Sequence, residues 1–173
     1  LKENTQCGAE LIGDGSVSAD AEILSMTVES MLESGLKNFQ ISVGHSQFFY
    51  GLTKAAGLSG EQEENLRELI ANKNFFGVEE FVDSLSMNDK LRKLFGLLDN
   101  FDLQDEQLIE ALKLAKGYDE ILSSIDSLLK LREYLKAYGI EKYISYELGL
   151  ISDYTYYTGI IFQGYTYGTG EPI

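Results

Sequence analysis

Two separated stretches of the sequence carry polar side chains whose types and spacing could bind a small ligand. In "TQCGAELIG" (5–13), the alternation of side chains along a strand would place Gln6 and Glu10 on one face. A second stretch, "YYTGIIFQGY", begins with Tyr156 and Tyr157. A carboxylate, an amide carbonyl and phenol hydroxyls together suit a small zwitterion. Ordinary strand packing is the alternative, because tyrosine also suits a half-buried pleated surface.

Other kinds of chemistry have weaker support. His45 could act as a base, but no serine or cysteine is marked as its nucleophile, and a lone histidine after a strand is more often structural. Because Cys7 and His45 are the single cysteine and the single histidine, no metal-ligand cluster is predicted. The run "GDGSVSAD" matches neither type of glycine-rich phosphate loop. No catalytic residue, metal site or cofactor is therefore predicted.

The charge balance limits the class of partner. The chain of 173 residues carries 14 Lys and Arg against 28 Asp and Glu, a formal charge of −14. A phosphate backbone or an anionic membrane needs clustered cations, so we expect neither nucleic acid nor membrane as a partner. No run of about 20 apolar residues and no signal-peptide pattern is present, and the predicted location is the cytoplasm. A start at Leu1 rather than Met suggests the middle of a longer protein.

The elements that must position these residues form three predicted parts. In the first part, 1–57, the strand over 5–13 is followed by a helix ending at Gly35, a strand over 38–45 and a second helix. The second part, 58–116, has only helix-spaced apolar positions and is predicted to be an all-helical insertion.

The third part, 117–173, holds the longest helix signal, over 118–138. Two strands are predicted after it, over 142–151 and 156–165. Because a four-residue connection, "SDYT", joins them, we expect an antiparallel hairpin.

Two quoted stretches carry a resemblance to a known family. "TQCGAELIGDGSVSADAEILSMTVESMLESGLKNFQISVGH" resembles the part of histidyl-tRNA synthetases that begins on the second strand of class II motif 2. "YELGLISDYTYYTGIIFQGY" resembles their histidine-binding hairpin, with the pattern Arg-Gly-Leu-Asp-Tyr-Tyr-Thr-Gly. The tail "YYTGIIFQGYTYGTGEPI" is more similar to the synthetase-like regulatory subunits of ATP phosphoribosyltransferase.

The resemblance implies an α+β fold: a fragment of a class II aminoacyl-tRNA synthetase-like antiparallel sheet with flanking helices and an all-helical insertion. It also implies that Gln6, Glu10, Tyr156 and Tyr157 contact histidine. Ser152 falls where the synthetases have a catalytic Arg, and serine supplies no permanent positive charge.

The resemblance therefore implies a regulatory subunit without catalysis. Its expected partners are the short-form catalytic subunit of ATP phosphoribosyltransferase and histidine as effector, within a hetero-oligomer that contains a homo-dimer. The alternative is a catalytic-domain fragment of a histidyl-tRNA synthetase, which activates histidine with ATP and charges tRNA.

Overall fold

The computed structural model describes residues 7–152 and 157–166. In these residues the helices are α1 (Val17–Glu33), α2 (Ser46–Ala56), α3 (Gly60–Ala71), α4 (Phe75–Asp83), α5 (Asp89–Phe95), α6 (Asp105–Leu114) and α7 (Asp119–Tyr138). The strands are β1 (Phe39–His45), β2 (Ile144–Tyr146) and β3 (Ile160–Thr166), and a short 3-10 turn, Glu141–Tyr143, precedes β2. A small sheet with flanking helices gives the α+β class that was predicted.

The three strands form one mixed sheet in the order β2-β1-β3. β1 pairs with β2 in parallel, so that Ser42 lies opposite Ser145, and with β3 in antiparallel, so that Ser42 also lies opposite Gln163. The predicted hairpin between 142–151 and 156–165 is therefore wrong. β1 is nearly all buried, and it can satisfy its backbone groups only by pairing along both edges, which separates the other two strands.

The strand predicted over 5–13 is also wrong for the residues that the structure describes. Residues 7–13 form no strand, and their side chains are exposed, including Leu11 and Ile12. A strand needs a neighbour for its backbone N–H and C=O groups. Within the described ranges β1 already has a neighbour on each edge, so the alternating pattern of this segment finds no place beside it.

Local signals explain most helix ends. The Ser16 hydroxyl caps α1 by accepting a hydrogen bond from the Ala19 N–H at 3.3 Å. A capping box of Ser59 and Gln62 is present at the start of α3. Gly139 ends α7 with φ +71°, a left-handed conformation that glycine adopts without strain.

The stretch 59–141 contains helices and no strand, as the sequence predicted. Its buried side chains, such as Leu66, Leu94 and Leu108, belong to the same apolar core as Ile41 of β1. The division of the chain at 57 and 116 stays a prediction. None of the described helices is long and apolar enough to cross a membrane.

Alternation gives the sheet two different faces. Phe39, Ile41 and Val43 of β1 lie on one face, and all three belong to the apolar core. Directly opposite residues of an antiparallel pair share a face. The other face therefore carries Ser42 together with Gln163, and Gln163 is part of the candidate site described below.

Candidate ligand-binding cleft

The four predicted site residues have different outcomes. Gln6 and Tyr156 lie outside the described residues. Glu10 is exposed in the segment before α1, and it is not among the described residues that line the cleft. Tyr157 lines a cleft of about 340 Å³ and has an exposed fraction of 43%. The structure thus places one of the four in a cleft, and their convergence stays a prediction.

Two segments form this cleft. One is residues 150–152, which follow β2, and the other is the start of β3 with Tyr157 just before it. The described residues that line it are Leu150, Ile151, Ser152, Tyr157, Ile160, Ile161, Phe162 and Gln163. Its volume lies at the small end of the range of ligand pockets, about 300–1,000 Å³, and its lining is mostly apolar with a few polar groups. The arrangement is suited to a small polar molecule.

Close packing holds the segment before the cleft. A Cβ atom added at Gly149 would lie 2.1 Å from the backbone carbonyl oxygen of Leu98, so only glycine allows this approach. One added at Gly44 would lie 2.6 Å from the carbonyl oxygen of Glu147. The backbone N–H of Glu147 donates to the carbonyl of Val43 at 2.9 Å. These contacts place residues 150–152 relative to β1.

A polar cluster lies on the face of the sheet that carries Ser42, and one of its members, Gln163, also lines the cleft. The Tyr165 hydroxyl donates to Gln163 Oε1 at 2.7 Å, and the hydroxyls of Ser42 and Ser145 are 3.3 Å apart. Burial raises the pKa of Glu147, although a hydrogen bond from Ser42 acts in the opposite direction. Gln163 was missed as a lining residue, although it lies in the same predicted strand, 156–165, as Tyr157.

His45 has a structural role in the described part of the chain. Its Nδ1 accepts a hydrogen bond from the Gln47 N–H at 3.2 Å and so caps α2. Burial lowers the pKa of His45 to about 4, which keeps the imidazole neutral at pH 7. It also borders a second cleft, of about 620 Å³, together with Asp20 and Thr158. Among the residues that the structure describes, no group of three or more acidic, His or Cys side chains could hold a metal ion.

Known proteins resemble the whole chain. A family model described as histidyl-tRNA synthetase matches residues 1–173. The ATP phosphoribosyltransferase regulatory subunit of Acetivibrio thermocellus is 37% identical over 99% of this chain and 41% of its own length. The chain therefore spans about two fifths of that relative.

Solved structures show the same fold. An ATP phosphoribosyltransferase regulatory subunit/histidyl-tRNA synthetase from Bacillus halodurans has a TM-score of 0.76 and 29% identity, over 94% of this chain and 42% of its own. A chain of the ATP phosphoribosyl transferase (HisG:HisZ) complex from Thermotoga maritima has a TM-score of 0.61 and 21% identity, over 88% of this chain and 53% of its own. At 21% identity the second match shows only that the fold is shared. With its whole length matched and its class II synthetase-like fold, the chain belongs to the histidyl-tRNA synthetase family.

Proposed function

We propose that the full-length protein is a non-catalytic regulatory subunit of ATP phosphoribosyltransferase, which acts in the first step of histidine biosynthesis in the cytoplasm. The observation that carries this proposal is the 37% identity, over 99% of the chain, to a protein of that name. The expected partner is the short-form catalytic subunit, a glycosyltransferase, within a hetero-oligomer that contains a homo-dimer of this protein. The Thermotoga maritima structure, which matches this chain in fold, is a complex of HisG and HisZ.

The chemistry of two features supports the regulatory role over the alternative of a histidyl-tRNA synthetase fragment. Ser152 lines the cleft where the resemblance places a catalytic Arg, and a hydroxyl cannot stabilise the charge that develops on a phosphate as a guanidinium does. The formal charge of −14 is also unfavourable for contact with tRNA.

The function is tested by two assays on the purified full-length protein. Added to a short-form ATP phosphoribosyltransferase, it is expected to raise the turnover of that enzyme. Alone, with histidine and ATP, it is expected to give no pyrophosphate exchange, because the position of the Arg holds Ser152. Robust histidine-dependent exchange would restore the synthetase alternative.

We further propose that the cleft beside Tyr157 is the histidine effector site, completed by Glu10, Gln6 and Tyr156. Support comes from the size of the cleft, from Tyr157 in its lining, and from the resemblance of "YYTG" to the histidine-binding pattern. A carboxylate such as Glu10 would pair with the ammonium group, and tyrosine hydroxyls would bind either end of the zwitterion. In this role the protein senses the end product and does not activate it.

Glu10→Ala in the full-length protein is expected to weaken histidine binding by about 1–3 kcal/mol, because a charged partner of the ligand is lost. Isothermal titration calorimetry measures the change directly. Glu33→Ala, which removes another exposed carboxylate at the end of α1, is the matched control and should leave the affinity unchanged. Equal histidine affinity for wild type and Glu10→Ala would remove Glu10 from the site.

A further inference from the structure

Arg67 of α3 is a cation that packs among aromatic rings. Only 15% of its side chain is exposed. Its guanidinium carbon lies 4.9 Å from the ring centre of Phe49 and 5.6 Å from that of Tyr50, both on α2. A guanidinium stacks on aromatic faces with its edge still free to donate hydrogen bonds. The two rings therefore limit the space in which the guanidinium of Arg67 can move.

The edge of that guanidinium reaches the wall of the cleft. Nη1 donates to the backbone carbonyl of Ser152 at 3.2 Å, and Nη2 donates to the Tyr50 hydroxyl at 3.4 Å. Two carboxylates of α3 are also near: a Glu63 oxygen lies 3.7 Å from Nη2, and a Glu64 oxygen lies 3.7 Å from Nε. Arg67 thus joins the side chains of α2 and α3 to a backbone atom some 85 residues later in the chain.

Residues 150–152 separate Arg67 from the cleft. On one side, Ser46, Phe49, Tyr50 and Arg67 face them across a gap of only about 10 Å³. On the other side, the same three residues line the cleft of about 340 Å³ that contains Tyr157. A shift of this thin wall would change the shape of the cleft, and a hydrogen bond from a charged donor resists such a shift more strongly than a neutral one does.

We propose that Arg67 is a positioning residue, which holds the wall 150–152 in place and so couples α3 to ligand binding in the cleft beside Tyr157. The part that concerns ligand affinity rests on the proposed histidine site. Coupling between two sites is reciprocal, so a ligand that needs the wall in place must also stabilise the contact of Arg67 with it. The helical part of the chain then responds to the effector, although the described residues that line the cleft include none from α3.

The chain offers a matched control in Arg132 of α7. Its side chain is 17% exposed, its guanidinium carbon lies 4.9 Å from the ring centre of Tyr146, and its Nη1 donates to the backbone carbonyl of Leu103 at 3.1 Å. Its Nε lies 2.6 Å from a carboxylate oxygen of Asp105. Arg132 thus resembles Arg67 in its burial, its ring contact and its carbonyl acceptor, but it contacts a different backbone segment.

The test compares Arg67→Met and Arg132→Met in the full-length protein. Without ligand, hydrogen exchange at the amides of 150–152 is expected to rise by roughly 10-fold or more in Arg67→Met, because a hydrogen bond from a charged donor is lost. It should stay at the wild-type rate in Arg132→Met. The affinity of Arg67→Met for histidine should be lower than that of the wild type by roughly 5-fold or more. The affinity of Arg132→Met should equal that of the wild type. Arg67→Lys keeps the charge without the planar fork, and it should not restore either property.

The possible failures are distinguishable. Wild-type exchange at 150–152 in Arg67→Met, or an equal rise in both Met variants, would overturn the positioning role. Full restoration of both properties by Arg67→Lys would overturn the role of the planar guanidinium. If wild type binds no histidine, the proposed effector site is wrong and the coupling falls with it, whereas the exchange result still decides whether Arg67 holds the wall.

Discussion

Phe95→Ala is expected to lower the free energy of unfolding by about 3–5 kcal/mol, the usual loss when a buried phenylalanine is truncated. The Phe95 side chain is only 1% exposed, at the end of α5. It belongs to the apolar core that joins the helices of 59–116 to β1. Truncation removes the apolar contacts and leaves a cavity that helices packed on several sides cannot fully close.

Phe76→Ala is the matched control, because Phe76 has the same side chain on neighbouring α4 but is 71% exposed. Its substitution should change the free energy of unfolding by no more than about 0.5 kcal/mol. Urea denaturation followed by circular dichroism measures both variants. Similar losses for the two would mean that Phe95 does not occupy the core position described.

The second large effect is a pH dependence caused by His45. The ordinary histidine pKa is 6.5, whereas burial lowers the pKa of His45 to about 4 in the folded protein. Between these values the unfolded chain binds a proton that the folded protein does not, so stability falls as the pH falls from about 6.5 to about 4. Above this window both states are neutral. The full loss, reached near the lower end, corresponds to about 3 kcal/mol.

His45→Asn isolates this effect. Asparagine does not titrate, and its side-chain oxygen can replace Nδ1 as the acceptor that caps α2. Burial raises the pKa values of Asp20 and Glu147, and these carboxyls act in the opposite direction by favouring the folded state when they are protonated. Because both proteins contain them, the difference between wild type and His45→Asn largely cancels their contribution. Unfolding curves at pH 7 and pH 4 that shift equally in both proteins would contradict the role of His45.

The helices could be predicted because their signals are local. In α7 the apolar residues recur at three and four positions, and Gly139 follows the last turn. At α3, Ser59 and Gln62 are three residues apart and form the capping box of the first turn, which is likewise a local pattern. Spacings of three or four residues were enough, because each helix completes its backbone hydrogen bonds within itself.

The strand pairing could not be predicted in the same way. The pattern of 142–151 shows extended backbone with alternating side chains, but it does not say which strand lies beside it. The short connection between the two predicted strands favoured a hairpin. In the structure each of these strands instead pairs with one edge of β1. For 5–13 the alternation was visible, yet a strand exists only where a neighbour completes its hydrogen bonds, and sequence spacing does not contain that information.

The sequence could indicate a candidate site residue where that residue lies on or next to a single predicted strand. Tyr157 adjoins a strand that the sequence indicated, and the structure places it at a cleft. Arg67 carried no signal, since an arginine among acidic residues on a helix usually belongs to a solvated face. Its contact with the Ser152 carbonyl depends on how α3 packs beside a segment distant in the chain, and only the three-dimensional structure contains that relation.

The central position of β1 also has a consequence for synthesis on the ribosome. Ser42 of β1 and its neighbour Ser145 of β2 are 103 residues apart in the chain, and β3 comes later still. At about 5–20 residues per second, β1 emerges roughly 5–20 s before either neighbour. Throughout that time an apolar strand has two unpaired edges, which can pair with other nascent chains. The helices of 59–138 can form locally in this interval, whereas β1 waits for β2 and β3. The strand order therefore lengthens the time during which the nascent chain is exposed to aggregation.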